Sequence, residues 1–268
     1  MTPSRKRSGL NSGLDILEAI AAGSAPVSLT MIAQEIGMSK SSVHTLLTTL
    51  DQRGYVRRLD DQRYTIGIRA WQVGCVATPL WMSRVAGPYM TELVNKVADG
   101  AALAVLDGVE TVCIQLVEST QVVRVHDNIG NRCLAWCVSN GISMLATMQD
   151  EEVLRLLPDP LPRPTEFSFA SEAEVLDKLA EVRAVGHSLM RRTWRPDTSG
   201  ISLPVRGADN RTVAALCVSM PDYRATPDRL DETLAELRHT VRQIEREFGV
   251  TEPDASPFPI QKGVLAAQ

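Results

Sequence analysis

The chain has 268 residues, 44% of them hydrophobic and 22% charged, with a formal net charge of −4. That length allows one large or two modest domains with proper cores, and the acidic balance excludes a protein that coats nucleic acid over its whole surface. No apolar run reaches the ~18 residues of a membrane span, so no membrane partner is expected.

The start, MTPSRKRSGLNSG, has basic residues without the hydrophobic stretch of an export signal. Five cysteines, Cys75, Cys113, Cys133, Cys137 and Cys217, stand mostly in apolar context, which fits a reducing cytoplasm. Charge is uneven along the chain. Residues 1 to 74 hold nine Lys and Arg against six acids, so a mildly basic head precedes an acidic body. Such a division suits local binding to DNA by the head.

Residues 1 to 9 read as an arm whose Arg5, Lys6 and Arg7 can follow phosphates. A helix is expected over residues 10 to 22, with Leu14, Leu17, Ile20 and Ala21 inward, stopped by Gly23-Ser24-Ala25-Pro26. Residues 28 to 54 then read as two short helices and a tight corner. Ser28 caps the first, whose Leu29, Ile32, Ala33 and Ile36 share a side, and Gly37 ends it. Ser39 caps the second, in which Val43, Leu46, Leu47 and Leu50 are inward.

The opposite side of that second helix carries Lys40, Ser41, Ser42, His44, Thr45 and Thr48, with no acid before Asp51. A face of short hydroxyls, an imidazole and a lysine can lie against phosphates and offer hydrogen bonds to base edges without repulsion. Two helices about a glycine corner form the helix-turn-helix design, whose second helix enters the major groove. A strand at Tyr55 to Leu59, a turn at Asp60 to Gln62 and a return strand at Arg63 to Ile66 make a wing. Its Arg57, Arg58 and Arg63 would face the sugar-phosphate backbone.

Residues 67 to 99 read as a helical connector, GIRAWQVGCVA followed by a run from Pro79 to Val97 with an interruption near Gly87-Pro88. Its Leu80, Trp81, Met82, Met90, Leu93 and Val97 are more apolar bulk than a free linker carries. Packing against another subunit or within its own domain would account for them.

From residue 100 the period changes to that of strands. Ala101 to Leu106 and Thr111 to Val117 flank a hairpin turn, and Gln121 to His126 reads as a third strand. Helices are expected at Gly141 to Thr147, Glu151 to Leu157 and Glu172 to Arg183, and strands at His187 to Arg191, Ile201 to Val205 and Val213 to Met220. A last helix, with Leu230, Leu234, Leu237, Val241, Ile244 and Phe248 inward, ends at Gly249. Residues 251 to 268 read as a loose tail. The mixture lacks strict βαβ alternation, so the fold class is α+β with an antiparallel sheet flanked by helices.

The stretch IAQEIGMSKSSVHTLLTTLDQRGYVRRLDDQRYTIGIRAWQVG resembles the N-terminal domain of the IclR family of bacterial transcription regulators, through G-[LM]-x-x-S-[ST], a leucine pair, GYV and RY-x-[IL]-G. Weaker marks follow in the body, namely LVES at 116 to 119, Gly130-x-Arg132, Gly141 to Ala146, and Val218 to Pro221. The resemblance implies a winged helix-turn-helix over residues 1 to 66, a helical linker and dimerisation segment over 67 to 99, and a GAF-like effector-binding domain over 100 to 250. It implies a homodimer or homotetramer, a double-stranded DNA operator of near-palindromic sequence, a small-molecule effector and no cofactor.

By the same resemblance the effector would meet Arg132, Trp136, Ser139, Gly141, Met190, Arg192, Trp194, Gly200, Ser202 and Ser219. Trp136 stands where the family often has His, Ile142 where Lys is common, Met190 and Thr193 where acids are common, and Gly200 where Cys is frequent. These departures imply a larger, partly hydrophobic ligand, with Trp136 and Trp194 as stacking walls and Arg192 or Arg195 on a carboxylate. The alternative is that both tryptophans are core and both arginines solvated.

Two other functions compete. One is redox sensing through Cys133 and Cys137; the other is small-molecule catalysis. Cys133-x-x-x-Cys137 lacks the second pair a zinc site needs, and His44, His126, His187 and His239 are scattered. There is no G-x-S-x-G, P-loop or G-x-G-x-x-G, so no enzyme is expected.

Overall fold

A computed structural model describes residues 8–23, 26–74, 78–251 and 258. The chain divides into two compact units that meet between residues 77 and 78. Arg5, Lys6, Arg7 and Cys75 lie outside the described residues. Among the described residues no helix is long and apolar enough to cross a membrane.

The first unit contains α1 (Gly9–Ala22), α2 (Leu29–Glu35), α3 (Lys40–Gln52), β1 (Val56–Arg58), β2 (Tyr64–Ile66) and α4 (Ile68–Gly74). Serines cap the helices, Ser28 and Ser39 as predicted and Ser8 in addition: the hydroxyls of Ser8, Ser28 and Ser39 accept from the backbone N–H of Asn11, Met31 and Ser42. Gly37 takes φ +64° after α2, the left-handed turn that lets the Met38 N–H reach back to the Ala33 carbonyl. Ile16, Ile32, Val43, Leu47, Val56 and Tyr64 form the core. Burial of Val43 and Leu47, both wholly inaccessible, stabilises the corner by roughly 1.5–3 kcal/mol each.

β1 and β2 pair antiparallel, Arg57 opposite Thr65. The Val27 bridge to Tyr64 ties the chain before α2 to this ribbon. α4 belongs to this unit rather than to a separate linker, because the Arg69 N–H donates to the Gly54 carbonyl and the Gly67 N–H to that of Tyr55.

The second unit opens with α5 (Thr78–Val97), which continues through Gly87 and Pro88 without the expected interruption. Met82, Ala86, Met90, Leu93, Val94 and Val97 make one buried stripe along it. Most of the apolar bulk of α5 is therefore core of its own unit, while Leu80 and Trp81 at its start are exposed.

The sheet runs β5-β4-β3-β8-β7-β6, all neighbours antiparallel. Its strands are β3 (Gly100–Asp107), β4 (Glu110–Val117), β5 (Arg132–Leu134), β6 (Ser188–Arg191), β7 (Thr198–Arg206) and β8 (Thr212–Pro221). Side-chain alternation splits the core. Leu103, Ile201, Leu203, Val205, Leu216 and Val218 face α5 and α9 (Pro227–Glu247). The other face packs on α6 (Ser139–Leu145), α7 (Asp150–Leu156) and α8 (Glu172–Val185) through Leu106, Ile142, Leu145, Val175, Leu179 and Met190. This is the α+β architecture expected.

Two departures are informative. The expected strand over 121–126 is a loop: Val122 and Val123 point outward, and the carbonyls of Val123 and His126 accept from Arg224 and Arg195 instead of a ladder partner. β5 takes the edge beside β4 instead. In the expected tail, where only Thr251 and Phe258 are described, Phe258 is buried in the core cluster of Trp136 and Leu145.

Candidate DNA interface and effector cavity

In the first unit the outer side of α3 is formed as its sequence requires. Lys40, Ser41, Ser42, His44, Thr45 and Thr48 are all exposed. The Ser39 hydroxyl is a hub: besides capping the Ser42 N–H, it lies 3.1 Å from the Ser41 hydroxyl and 2.9 Å from that of Ser42. The threonine hydroxyls turn inward. Thr45 Oγ1 donates to the Ser41 carbonyl at 3.1 Å and Thr48 Oγ1 to the His44 carbonyl at 2.8 Å. The face of short hydroxyls is thus a serine cluster at the helix start followed by threonines whose protons the helix has taken.

The ribbon positions its cations unequally. Arg57 is exposed and has no acidic partner among the described residues. The Arg58 N–H donates to Asp51 at 3.1 Å, which fixes β1 against the end of α3, and its guanidinium lies 5.8 Å from the Tyr64 ring centre. Arg63 is held by Asp61, at 2.6 Å between charged groups, and that contact holds the Asp61 carboxyl below its usual range. Of the three expected phosphate contacts, Arg63 starts with its charge already matched.

In the second unit, a cavity of about 80 Å³ opens where β7, β8 and the start of α6 converge. Ser139, Met190, Trp194, Gly200 and Ser219, five of the residues named from the resemblance, line it together with Val125, His126, Asp127, Cys133, Cys137, Thr193, Arg195, Thr198 and Cys217. Sequence reasoning missed the 125–127 segment, and it misread the same stretch as a strand. Arg195 is the arginine at the rim, its Nη1 donating to the His126 carbonyl at 2.8 Å. Asp127 accepts from Asn131 Nδ2 at 2.5 Å and from the Asn128 N–H.

Five of the expected residues do not line the cavity. Trp136 is 1% exposed in the second core, its Nε1 donating to the Pro162 carbonyl at 3.3 Å, so it is no stacking wall. Arg132 clamps the β3–β4 hairpin through Asp107 and Glu110. Arg192 donates to the Pro196 carbonyl and covers the Phe167 ring at 3.8 Å. Gly141 is needed for packing, since a Cβ there would sit 2.1 Å from the Ala135 oxygen.

Ser202 lies just beyond the cavity. It is two residues along β7 from Gly200, opposite Cys217 on β8 and Ser188 on β6. The hydroxyls of Ser202, Ser188 and Ser143 are buried with no hydrogen-bond partner in the described structure. These are polar groups buried at positions where a packed core would be apolar. Gly200 keeps the cavity open: a Cβ there would meet Ser139 Oγ at 2.7 Å.

Cys113, Cys133, Cys137 and Cys217 are free thiols. Burial pushes Cys133 and Cys137 up to about 12, so at pH 7 both are neutral thiols. A neutral thiol is a poor nucleophile toward peroxide. Dilute peroxide is therefore expected to leave DNA binding unchanged, in the parent and in a Cys133→Ser/Cys137→Ser variant alike. An oxidant-dependent shift that the double variant loses would restore the redox reading.

Comparison with known proteins agrees with both halves. Residues 10–60 match the IclR helix-turn-helix domain and residues 74–246 the bacterial transcriptional regulator IclR C-terminal domain. The acetate operon repressor of Salmonella typhimurium is 28% identical over 250 residues, covering 90% of each chain. The transcriptional repressor IclR of Escherichia coli is 28% identical over 248 residues, covering 90% of this chain and 89% of its own. An IclR homologue from Microbacterium hydrocarbonoxydans, solved with 4-hydroxybenzoate, superposes with a TM-score of 0.78 at 22% identity, over 90% of this chain and 99% of that one. The first two are named as repressors, and the family match sets the enzyme alternative aside. The chain belongs to the IclR family of bacterial transcription regulators, with a DNA-binding helix-turn-helix head and an antiparallel-sheet body.

Proposed function

We propose that the chain binds a near-palindromic operator as a homodimer or a pair of dimers, through α3 and the β1–β2 ribbon, and that a compact organic acid in the body's cavity sets its affinity for that DNA. The observation that carries the DNA half is the exposed, acid-free side of α3 from Lys40 to Thr48, with Arg57 and Arg58 exposed on the ribbon. One recognition helix covers only a few base pairs, so two copies are needed to specify a site. Leu80 and Trp81, exposed on α5, are apolar groups available to a second copy.

The effector half rests on the cavity's size and lining. A cavity that holds benzene is about 150 Å³, so 80 Å³ favours an acid smaller than one aromatic ring over the larger ligand that the sequence departures imply. Arg195 supplies the cation, Ser139, Thr198 and Ser219 the hydroxyls, and Met190 and Trp194 the apolar wall. Calorimetric titration with short-chain carboxylates and with benzoates tests this. Short acids are expected to bind, and Arg195→Gln to weaken them about tenfold or more, as loss of a charge-assisted contact does. Benzoates binding in preference, or Arg195→Gln binding as the parent, would reject the assignment.

A further inference from the structure

The two threonines in the middle of the outward side of α3 have their hydroxyl protons engaged by the helix, and this changes what that side can read. A threonine hydroxyl has one proton. In Thr45 and Thr48 that proton is directed to a carbonyl of the preceding turn, at 3.1 and 2.8 Å. Neither hydroxyl can then donate to N7, O6 or O4 on a base edge without giving up its helix bond. With the oxygen folded against the helix, the γ-methyl is the outward group. Thr49 makes the same bond to Thr45, but it lies in the groove lined by α1 residues Leu10 and Leu14, off the DNA-facing side.

Among base edges in the major groove, only thymine carries an apolar substituent, its C5-methyl. Thr45 and Thr48 stand three residues apart on one side, about 5–6 Å between Cβ atoms, a spacing that spans neighbouring base-pair steps. The serines and Lys40 at the helix start serve different chemistry, as donors for phosphate or a polar base edge.

We propose that Thr45 and Thr48 read thymine C5-methyl groups, so that each half-site of the operator has one or two thymines recognised by apolar contact. This rests on α3 being the DNA-reading helix. Recognition by the methyl predicts that Thr→Ser, which keeps the hydroxyl, is harmful, and that Thr→Val, which keeps the methyls, preserves the preference.

The test uses the full-length chain and a pool of random duplexes of about 30 base pairs, long enough for two half-sites. The enriched duplex is resynthesised with deoxyuridine at each thymine in turn, which removes only the methyl, and affinities are read by fluorescence anisotropy. One or two uridine positions per half-site are expected to weaken the parent by about 3–10-fold. At those positions Thr45→Ser or Thr48→Ser should bind thymine and uridine duplexes alike, whereas Thr45→Val should still prefer thymine. Equal affinity of the parent for every uridine duplex, or undiminished thymine preference in both serine variants, would overturn the methyl reading alone. Failure of the pool to enrich any sequence would overturn it together with the operator assignment.

Discussion

Replacing Arg206 by methionine is expected to destabilise the body by about 3–5 kcal/mol, the cost of leaving a buried carboxylate without its counter-charge. Glu245 on α9 accepts three bonds from this one residue: the backbone N–H at 3.0 Å, Nε at 2.8 Å and Nη2 at 2.8 Å. Both side chains are nearly inaccessible, at 1% and 2%. Water therefore cannot replace the lost partner. In a unit of this size each kcal/mol moves the melting temperature by about 2–4 °C, so a fall of about 10 °C is expected in a thermal melt followed by circular dichroism.

The companion variant, Arg206→Met/Glu245→Leu, should recover most of that loss, since an apolar pair of similar volume has no charge to desolvate. A single variant that melts within about 2 °C of the parent would mean that the carboxylate finds another partner on relaxing. The pair joins the end of β7 to α9. β7 also carries Gly200 to the cavity and Ser202 beside it, so its placement bears on the effector site as well as on stability.

Much of this architecture is legible in the sequence where a local signal and a buried face coincide. α3 has a capping serine, a glycine corner before it and leucines at helical spacing, and α9 has a capping Thr226 followed by Pro227 and a long apolar stripe. Both form where expected. The segment 121–126 has strand-like residues, Val122, Val123 and Val125, yet arginines distant in sequence occupy its carbonyls, which no local pattern announces. The connector divides because α4 bonds back to Gly54 and α5 buries its stripe against the sheet, a choice made by tertiary packing.

The cavity residues are indicated by the family resemblance, and no local signal selects them. Position along the chain brings Ser139, Gly200 and Ser219 together through the β7–β8 register and the α6 turn. Whether a tryptophan faces a cavity or a core is set by what packs on it, and Trp136 is taken up by the Pro162 carbonyl and the second core. Threonine rotamers are equally silent in sequence. That the helix engages the hydroxyl protons of Thr45 and Thr48 becomes visible only with the bonds to Ser41 and His44 in view.

The ribbon yields the other large effect. Arg57→Ala or Arg58→Ala is expected to weaken DNA binding about tenfold or more at low salt, for every sequence alike, because a phosphate contact carries no base information. Each operator would hold two copies of the substitution, so the slope of log affinity against log salt should flatten by about 1.8, twice the ~0.9 of one B-DNA phosphate. Arg63→Ala should cost less, since Asp61 already matches the Arg63 charge and must release it to DNA. Thr45→Ala should instead change which sequences are preferred while leaving the salt slope unaltered. Binding titrations of two unrelated duplexes over a salt series separate these cases. If Arg58→Ala and Thr45→Ala lost affinity equally on both duplexes with unchanged slopes, the ribbon would not be touching phosphate and α3 would not be reading bases.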